Sequence, residues 1–255
     1  MPVASAIFVA PHPDDIALSC GGTVAMAARD GAPTIVTIFA SQPDGDVSDF
    51  ARFQHERWGF DAASVANERR AEDEAAARAL GDTVTQSWLD HLDAIYRSPD
   101  YSSDDALFGK LLDQDIQLID TLVTELAAFN AAEYIVPLAA GNHVDHQLAF
   151  RAGRRLAARG ALVWAYADVP YVIDNARAVT DRLARGTVRE ARVTYLDDDA
   201  FERKLRAVEC YPSQIPVLFR DLGDHRAVLD RYARGVGGGQ RAEVCWRVLP
   251  SSSYA

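Results

Sequence analysis

The stretch that decides the fold is residues 4–40, ASAIFVAPHPDDIALSCGGTVAMAARDGAPTIVTIFA. Residues 4–10 form a short apolar run that meets Pro11-His12-Pro13, which cannot continue as a central strand. Small and apolar side chains over residues 16–29 then predict a helix, and residues 33–40 form a second apolar strand. This order of strand, loop, helix and strand is the unit of a parallel sheet.

The same alternation continues along the chain. Helices are predicted over residues 66–80, closed by Gly81, over 111–129 and over 143–158, and strands over 83–89, 134–138 and 162–169. The last third predicts an edge strand over 193–196, helices over 199–210 and 215–234, and a final strand over 242–248. Residues 42–61 are polar and predict a loop. We therefore expect an α/β fold with one open, doubly wound, mainly parallel sheet flanked by helices, Rossmann-like, which binds ligands beyond the carboxyl ends of its strands.

Length and charge restrict the partners of this chain. Its 255 residues, 49% of them hydrophobic, predict a single domain over residues 1–255. The net charge of -11 argues against a nucleic-acid or anionic-membrane partner. The N-terminal apolar run is too short for a membrane span, and three widely spaced cysteines do not form a disulfide framework. We expect a cytoplasmic protein with a small-molecule substrate, and a homo-oligomer is possible.

Two polar clusters follow predicted strands and contain three of the six histidines. The first is His12-Pro13-Asp14-Asp15, and the second is His143-Val144-Asp145-His146. A catalytic zinc ion typically has three nitrogen or carboxylate ligands and one open position. His12, Asp15 and His146 supply such a set, which predicts one Zn²⁺ per chain, although another divalent metal would also fit.

The remaining polar residues of the clusters suggest catalytic roles. Asp14 is free to act as the general base that takes a proton from water. His143 can give a positive hydrogen-bond donor to the oxyanion of an amide hydrolysis or protonate the leaving amine. Asp145 can hold an imidazole in the required tautomer. Each cluster alone could be a helix cap or a packed histidine, but two complementary clusters at two strand-to-helix junctions argue against coincidence.

The motifs support a family resemblance. Pro11-His12-Pro13-Asp14-Asp15 followed by Gly21-Gly22-Thr23, together with Gly141-Asn142-His143-Val144-Asp145-His146, resembles the GlcNAc-phosphatidylinositol deacetylase family. These are LmbE-like, or PIG-L-like, zinc deacetylases, and they include deacetylases of mycothiol and bacillithiol biosynthesis. Weaker similarity extends the match over about residues 4–214. The resemblance implies an LmbE-like fold and a metal-dependent N-deacetylase that removes an acetyl group from an amino sugar or a similar conjugate.

The resemblance also implies roles for individual residues. It implies that His12, Asp15 and His146 bind the metal and that Asp14 is the base, as ligand chemistry also predicts. It further implies that Arg69 and Asp93 contact substrate hydroxyls. The alternative for Arg69 is an exposed helix arginine that pairs with a nearby acid. One position departs from the pattern: many members have glutamate after the paired aspartates, and this chain has Ile16. We expect metal binding to survive this change, which leaves a difference in the substrate pocket open.

Other functions remain open at this stage. The same metal site could cleave another amide, an ester or a phosphoester, or the fold could serve as a non-catalytic binding protein. Gly21-Gly22 lacks the full nucleotide-loop pattern, so tight helix packing is the preferred interpretation. His55 and His91 stand among polar residues and are predicted to be surface or loop histidines.

Overall fold

The computed structural model describes residues 6–60, 64–175 and 177–250. Ala4 and Ser5 of the predicted first strand, and Asp61 of the predicted loop, lie outside the described residues. The strands are β1 Ile7–Ala10, β2 Thr34–Thr37, β3 Thr85–Trp88, β4 Tyr134–Pro137, β5 Val163–Tyr166, β6 Val188–Tyr195 and β7 Ala242–Val248. The helices are α1 Asp15–Asp30, α2 Asp49–Trp58, α3 Val65–Leu80, α4 Ala94–Arg97, α5 Asp104–Leu107, α6 Leu118–Ala128, α7 Val144–Ala158, α8 Tyr171–Asp174, α9 Ala178–Leu183, α10 Asp198–Val208, α11 Ile215–Leu218 and α12 His225–Val236.

The strands form one seven-stranded sheet in the order β3-β2-β1-β4-β5-β7-β6. Strands β1 to β5 are parallel, whereas β7 runs antiparallel to both β5 and β6. The predicted open, mainly parallel sheet is therefore confirmed. From β1 the chain builds outward first to β2 and β3 and then, on the other side, to β4 and β5. This reversal opens a crevice beyond the carboxyl ends of β1 and β4.

Apolar side chains cover both faces of the sheet. Alternate residues of β1 point to opposite faces, so Ile7 and Val9 lie in one core cluster while Phe8 and Ala10 lie in the other. Helices α6 and α7 pack on the first face, and α1, α3 and α10 cover the second. A strand buried on both faces is a continuous apolar run, which explains why β1 is recognisable in the sequence.

The prediction of a loop over residues 42–61 is wrong because the segment contains α2. Ser48 caps this helix by accepting a hydrogen bond from the backbone N–H of Ala51, and Gly59 ends it with a left-handed φ of 74°. The helix is amphipathic although its composition is polar. Its inner face carries His55, which is only 2% exposed and whose Nε2 lies 2.5 Å from the Tyr96 hydroxyl. The prediction of a surface position for His55 is therefore also wrong.

Two predicted helices are divided in the structure. Residues 215–234 form α11 and α12, separated by Gly223 with φ of 95° and by Asp224, whose carboxylate caps α12 at Ala227 N–H. Residues 111–129 begin with a 3₁₀ turn, Asp113–Gln117, before α6. The predicted edge strand over 193–196 is longer and occupies all of β6. The left-handed Gly223 and the capping Asp224 account for the division of residues 215–234.

Gly21 and Gly22 allow two helices to approach closely, as predicted. A Cβ atom on Gly22 would lie 2.4 Å from Cδ1 of Leu196, and one on Gly21 would lie 3.1 Å from Cγ of Lys204. Helix α1 thus packs directly against α10 and against Leu196, which lies between β6 and α10. Within residues 6–60, 64–175 and 177–250, no helix has the length and apolar character needed to cross a membrane.

This close approach generates a stability prediction. Gly22→Ala should lower the free energy of unfolding by about 1–3 kcal/mol, because the new methyl group overpacks against Leu196. Gly235→Ala is the matched control, since Gly235 lies in α12 with open space around its Cα and alanine favours helix by up to about 1 kcal/mol. Urea denaturation of both variants measures the difference. Equal stabilities would contradict the packing argument.

Candidate active site

The two polar clusters meet in the crevice between β1 and β4. The first cluster leads from β1 into α1, and in the second His143 caps α7. The ring centroids of His12 and His143 lie 4.8 Å apart, and those of His12 and His146 lie 5.6 Å apart. All three rings are buried. The structure thus brings together side chains that are about 130 positions apart in the sequence.

Asp15 lies between the two histidines that are predicted to bind the metal. Asp15 Oδ1 lies 3.4 Å from His146 Nε2, and Asp15 Oδ2 lies 3.6 Å from His12 Nδ1. Tetrahedral zinc with bonds of 2.0–2.1 Å separates its ligand atoms by about 3.3 Å. Among the described residues, buried His146 Nε2 has no hydrogen-bond partner. A buried ring nitrogen that has no hydrogen-bond partner and lies 3.4 Å from a carboxylate oxygen can bind a divalent cation.

Each of the two imidazoles is held by a carboxylate on its opposite nitrogen. Asp168 Oδ1 lies 2.6 Å from His146 Nδ1, and Asp145 Oδ2 lies 3.0 Å from His12 Nε2. This leaves His12 Nδ1 and His146 Nε2 facing Asp15, which is the usual arrangement around metal-bound histidines. Asp145 was expected to hold an imidazole, but Asp168 was missed. Its signal was available, because it follows β5 at the same edge of the sheet.

Arg97 pairs with the buried carboxylate of Asp145. Arg97 Nη2 lies 2.6 Å from Asp145 Oδ1 and 3.0 Å from Asp115 Oδ2. Burial raises the pKa of Asp145, but Arg97 and then His12 outweigh it and hold that pKa far below the usual range. Asp145 is therefore a permanent anion, and it orients His12 without titrating near neutral pH.

Two groups of possible ligand atoms lie within 4.8 Å of one another, and neither contains Asp15: His12, His143 and His146, and His12, Asp93 and Asp145. Both fit a cation less well than the set containing Asp15. The first would use His143, whose Nδ1 already accepts the Asp145 N–H at 3.2 Å. The second would place a cation next to the guanidinium of Arg97, which pairs with Asp145.

Asp14 and Asp15 point in different directions although they are adjacent. Asp14 has φ of 104°, a strained conformation that aspartate tolerates better than most residues. Its Oδ2 lies 3.3 Å from Arg69 Nη2, and the side chain lines the crevice. Burial and the Asp15 carboxylate raise the pKa of Asp14 to about 8, against the opposing effect of Arg69. A carboxyl group that titrates near neutrality can both take and return a proton.

His143 differs from the expectation of a positive donor. Burial, together with His12 and His146, lowers its pKa well below the ordinary value, so the ring is neutral near pH 7. Because its Nδ1 accepts a backbone N–H, the ring proton lies on Nε2. The imidazole also stands edge-on to Phe108, with centroids 5.2 Å apart. His143 thus offers a fixed, neutral N–H donor at the crevice.

The crevice is a cavity of about 330 Å³ whose wall includes Arg69 and Asp93. Arg69 is 7% exposed, donates to Pro13 O at 2.9 Å and lies 4.8 Å above the Trp58 ring. The alternative of an exposed helix arginine is therefore wrong. Asp93 Oδ1 accepts the Ile95 N–H, and its Oδ2 lies 3.6 Å from His12 Nε2. Both side chains stand where a bound molecule would contact them.

Ile16, the departure from the family pattern, is buried. It is 2% exposed and belongs to the core cluster on the α1 side of the sheet. The cavity wall does not include it. The apolar residue therefore packs in the core, and the ligand geometry of Asp15 forms beside it without a glutamate.

Comparisons with known proteins agree with this geometry. A model of the family described as PIG-L, GlcNAc-PI de-N-acetylase, matches residues 7–157, which contain both polar clusters. A 2'-N-acetylparomamine deacetylase from Streptomyces fradiae is 30% identical over 216 residues, 82% of this chain and 72% of that protein. The 2'-N-acetylparomamine deacetylase from Niallia circulans is 31% identical over 185 residues, 65% of this chain and 66% of that protein, just under two thirds of its length. The crystal structure of the zinc-inhibited form of teicoplanin deacetylase Orf2 superposes with a TM-score of 0.81 at 26% identity, over 98% of this chain and 99% of that chain.

The contact between Asp168 and His146 should strengthen metal binding. Asp168→Asn should weaken zinc binding about 10- to 100-fold, because the imidazole loses the charged partner that orients it and raises its basicity. Titration of the metal-free protein with zinc against a competing chelator measures the affinity. Asp82→Asn, at an exposed position, is the control and should bind zinc as the wild type does. Equal affinities for the two variants would show that Asp168 does not act on the site.

Proposed function

The chain belongs to the GlcNAc-PI de-N-acetylase (PIG-L) family, and we propose that it is a divalent-metal-dependent N-deacetylase acting on an amino-sugar glycoside. One observation carries the proposal. A buried set of two imidazoles and one carboxylate at ligand spacing lies next to Asp14, a carboxyl group with a pKa near neutrality that lines a cavity. This combination suits hydrolysis of a carbon–nitrogen bond by activated water.

His12 Nδ1, Asp15 and His146 Nε2 would hold the metal. Zinc suits two nitrogen ligands and one carboxylate with a fourth position open. When bound, it would polarise the amide carbonyl and make a water molecule more acidic. The relative solved in a zinc-inhibited form supports zinc as a ligand of this fold, and other divalent ions also suit the donor set.

Asp14 would move the proton during the reaction. As a carboxylate it accepts a proton from the attacking water while the water oxygen bonds to the carbonyl carbon. When the carbon–nitrogen bond breaks, the protonated Asp14 returns this proton to the leaving nitrogen, which departs as the free amine. The other product is acetic acid, which loses its proton to the solvent and becomes acetate. The neutral state of His143 favours Asp14 over His143 as the proton donor to the leaving nitrogen, because a neutral imidazole Nε2–H is a weak acid.

His143 would instead stabilise the developing charge. Its Nε2–H can donate a hydrogen bond to the carbonyl oxygen as that oxygen becomes negative. The ring needs no rearrangement, because the Asp145 N–H and Phe108 already fix it. A fixed donor in a buried site acts more strongly than the same donor in water.

Arg69 and Asp93 would bind the sugar. Both lie in the cavity wall and offer complementary groups, donors from the guanidinium and acceptors from the carboxylate. The relatives are named as deacetylases of 2'-N-acetylparomamine and of teicoplanin, which favours an N-acetylated amino sugar joined to a larger group. The three cysteines are free thiols, which supports the proposed cytoplasmic location.

The cavity argues against a phosphoester substrate. Phosphoryl groups are usually held by unpaired cations or paired metals. Each arginine in the cavity wall is instead paired with a carboxylate, as Arg57 with Asp104, Arg69 with Asp14, and Arg220 with Asp221. Their positive charge is already balanced, so a neutral acetamido sugar fits this wall better than a phosphate.

The proposal predicts that the protein releases acetate from N-acetylated amino sugars. We expect Asp14→Asn to lower kcat at least about 100-fold, because the proton acceptor is lost, while the zinc content stays near one per chain. Asparagine tolerates the positive φ at this position, so the turn should persist. His146→Ala should lose both zinc and turnover. The measurement is acetate release from a panel of N-acetylated amino sugars and glycosides, together with metal analysis.

The outcomes separate the parts of the proposal. Wild type that binds zinc but releases no acetate from any member would reject the substrate class. Wild type without zinc after metal loading would reject the ligand set. Full activity of Asp14→Asn would reject Asp14 as the base without contradicting the proposed metal ligands.

A further inference from the structure

Tyr171 lies at the crevice but has no part in the function proposed above. It is the first residue of α8, in the segment that follows β5 and also carries Asp168. Because β5 is parallel to β4, its carboxyl end faces the same edge of the sheet. Tyr171 lines the same cavity as Asp14 and His143.

Three contacts hold the Tyr171 ring. A Cβ atom on Gly141 would lie 2.7 Å from Cγ of Tyr171, so glycine is required there by the close approach of the ring. Phe108 packs against the ring at a centroid distance of 5.3 Å, and His146 does so at 5.7 Å, both edge-on. The side chain is therefore fixed beside a proposed metal ligand before any substrate binds.

The hydroxyl group of Tyr171 is free to bind a ligand. Across residues 6–60, 64–175 and 177–250, no protein group forms a hydrogen bond with it, whereas Arg69, Asp93 and Asp14 each have a protein partner. A phenylalanine at position 171 would pack equally well against Gly141 and Phe108. A phenol stays protonated at neutral pH and can donate a hydrogen bond.

We propose that the Tyr171 hydroxyl donates a hydrogen bond to the carbonyl oxygen of the substrate's acetamido group, as a second donor beside His143. This inference rests on the proposed deacetylase function. The rings of His143 and Tyr171 contact the same two neighbours at matching distances, 5.2 and 5.3 Å from Phe108 and 5.6 and 5.7 Å from His146. Both rings therefore lie against the imidazole of His146, next to which the reacting carbonyl would bind. The hydroxyl keeps its proton, so the proton transfers of Asp14 are unchanged.

The carbonyl oxygen gains charge on the way to the tetrahedral state, so a hydrogen bond to it is stronger there than in the bound substrate. Loss of the donor should then appear in kcat and much less in KM. A hydrogen bond to a sugar hydroxyl would instead be equally strong in both states, and its loss would raise KM.

The test is Tyr171→Phe, which removes the hydroxyl and keeps the ring. We expect kcat for acetate release to fall about 100-fold, with KM changed less than about threefold and with zinc content and Tm as in the wild type. Tyr195→Phe is the matched control, because Tyr195 is 55% exposed on the edge strand β6, and it should match the wild type. An unchanged kcat, or a rise in KM alone, would overturn the inference.

Gly141→Ala provides a second test, because its methyl group must displace the Tyr171 ring. We expect it to lower kcat in the wild type and to have much less effect in the Y171F background, where the hydroxyl is already absent. Equal losses in the two backgrounds would show that the ring, and not the hydroxyl, matters. Wild type that is inactive on the whole panel rejects the deacetylase function and this inference with it, whereas active wild type equalled by Y171F rejects this inference alone.

Discussion

A buried chain of charged contacts connects the strands around the crevice, and the rest of the site depends on it. It runs through Asp115, Arg97, Asp145, His12, Asp15, His146 and Asp168, in that order. Four of these seven groups are carboxylates and only one is an arginine. Burial lowers the pKa of both imidazoles, but facing carboxylates outweigh it, chiefly Asp93 for His12 and Asp15 for His146, and raise the pKa of both. The chain thus requires positive charge at its centre, and a divalent cation between His12, Asp15 and His146 would supply it.

The adjacent Asp14 and Asp15 have different functions because their surroundings differ. Asp15 faces two imidazoles, which lower its pKa against the effect of burial, so it remains an anion suited to a cation. Asp14 is turned away by its positive φ and faces Arg69 and the cavity, where burial raises its pKa. Two neighbouring carboxyl groups with pKa values pushed apart are typical of sites that separate binding from proton transfer. The strained turn at Asp14 is the local feature that produces this separation.

The sequence predicts the parts of the site that local pattern determines. Strand ends are readable because buried parallel strands are continuous apolar runs, and the two clusters directly follow such runs. Asp168 also follows a strand, and this position is the one sequence signal that it has, because its neighbours do not distinguish it from a capping acid. Arg97 and Tyr171 are harder to identify, because the contacts of Arg97 with Asp145 and of Tyr171 with His146 join residues at least 25 positions apart in the sequence. Helix α2 was missed for a different reason: its polar composition concealed a capped amphipathic helix.

The segments that the sequence predicts and those that it does not predict have different functions. The proposed metal ligands lie where strands end, within the part of the chain that the family model matches. The outer wall of the cavity comes from short helices and turns, including Leu107 of α5 and Leu218 of α11. Such segments tolerate sequence change because few sheet contacts constrain them. Since Ile16 packs in the core away from the cavity, its departure from the family pattern does not alter the wall directly. Selectivity among amino-sugar glycosides should therefore depend on α5 and α11, while the reaction itself depends on the residues around His146.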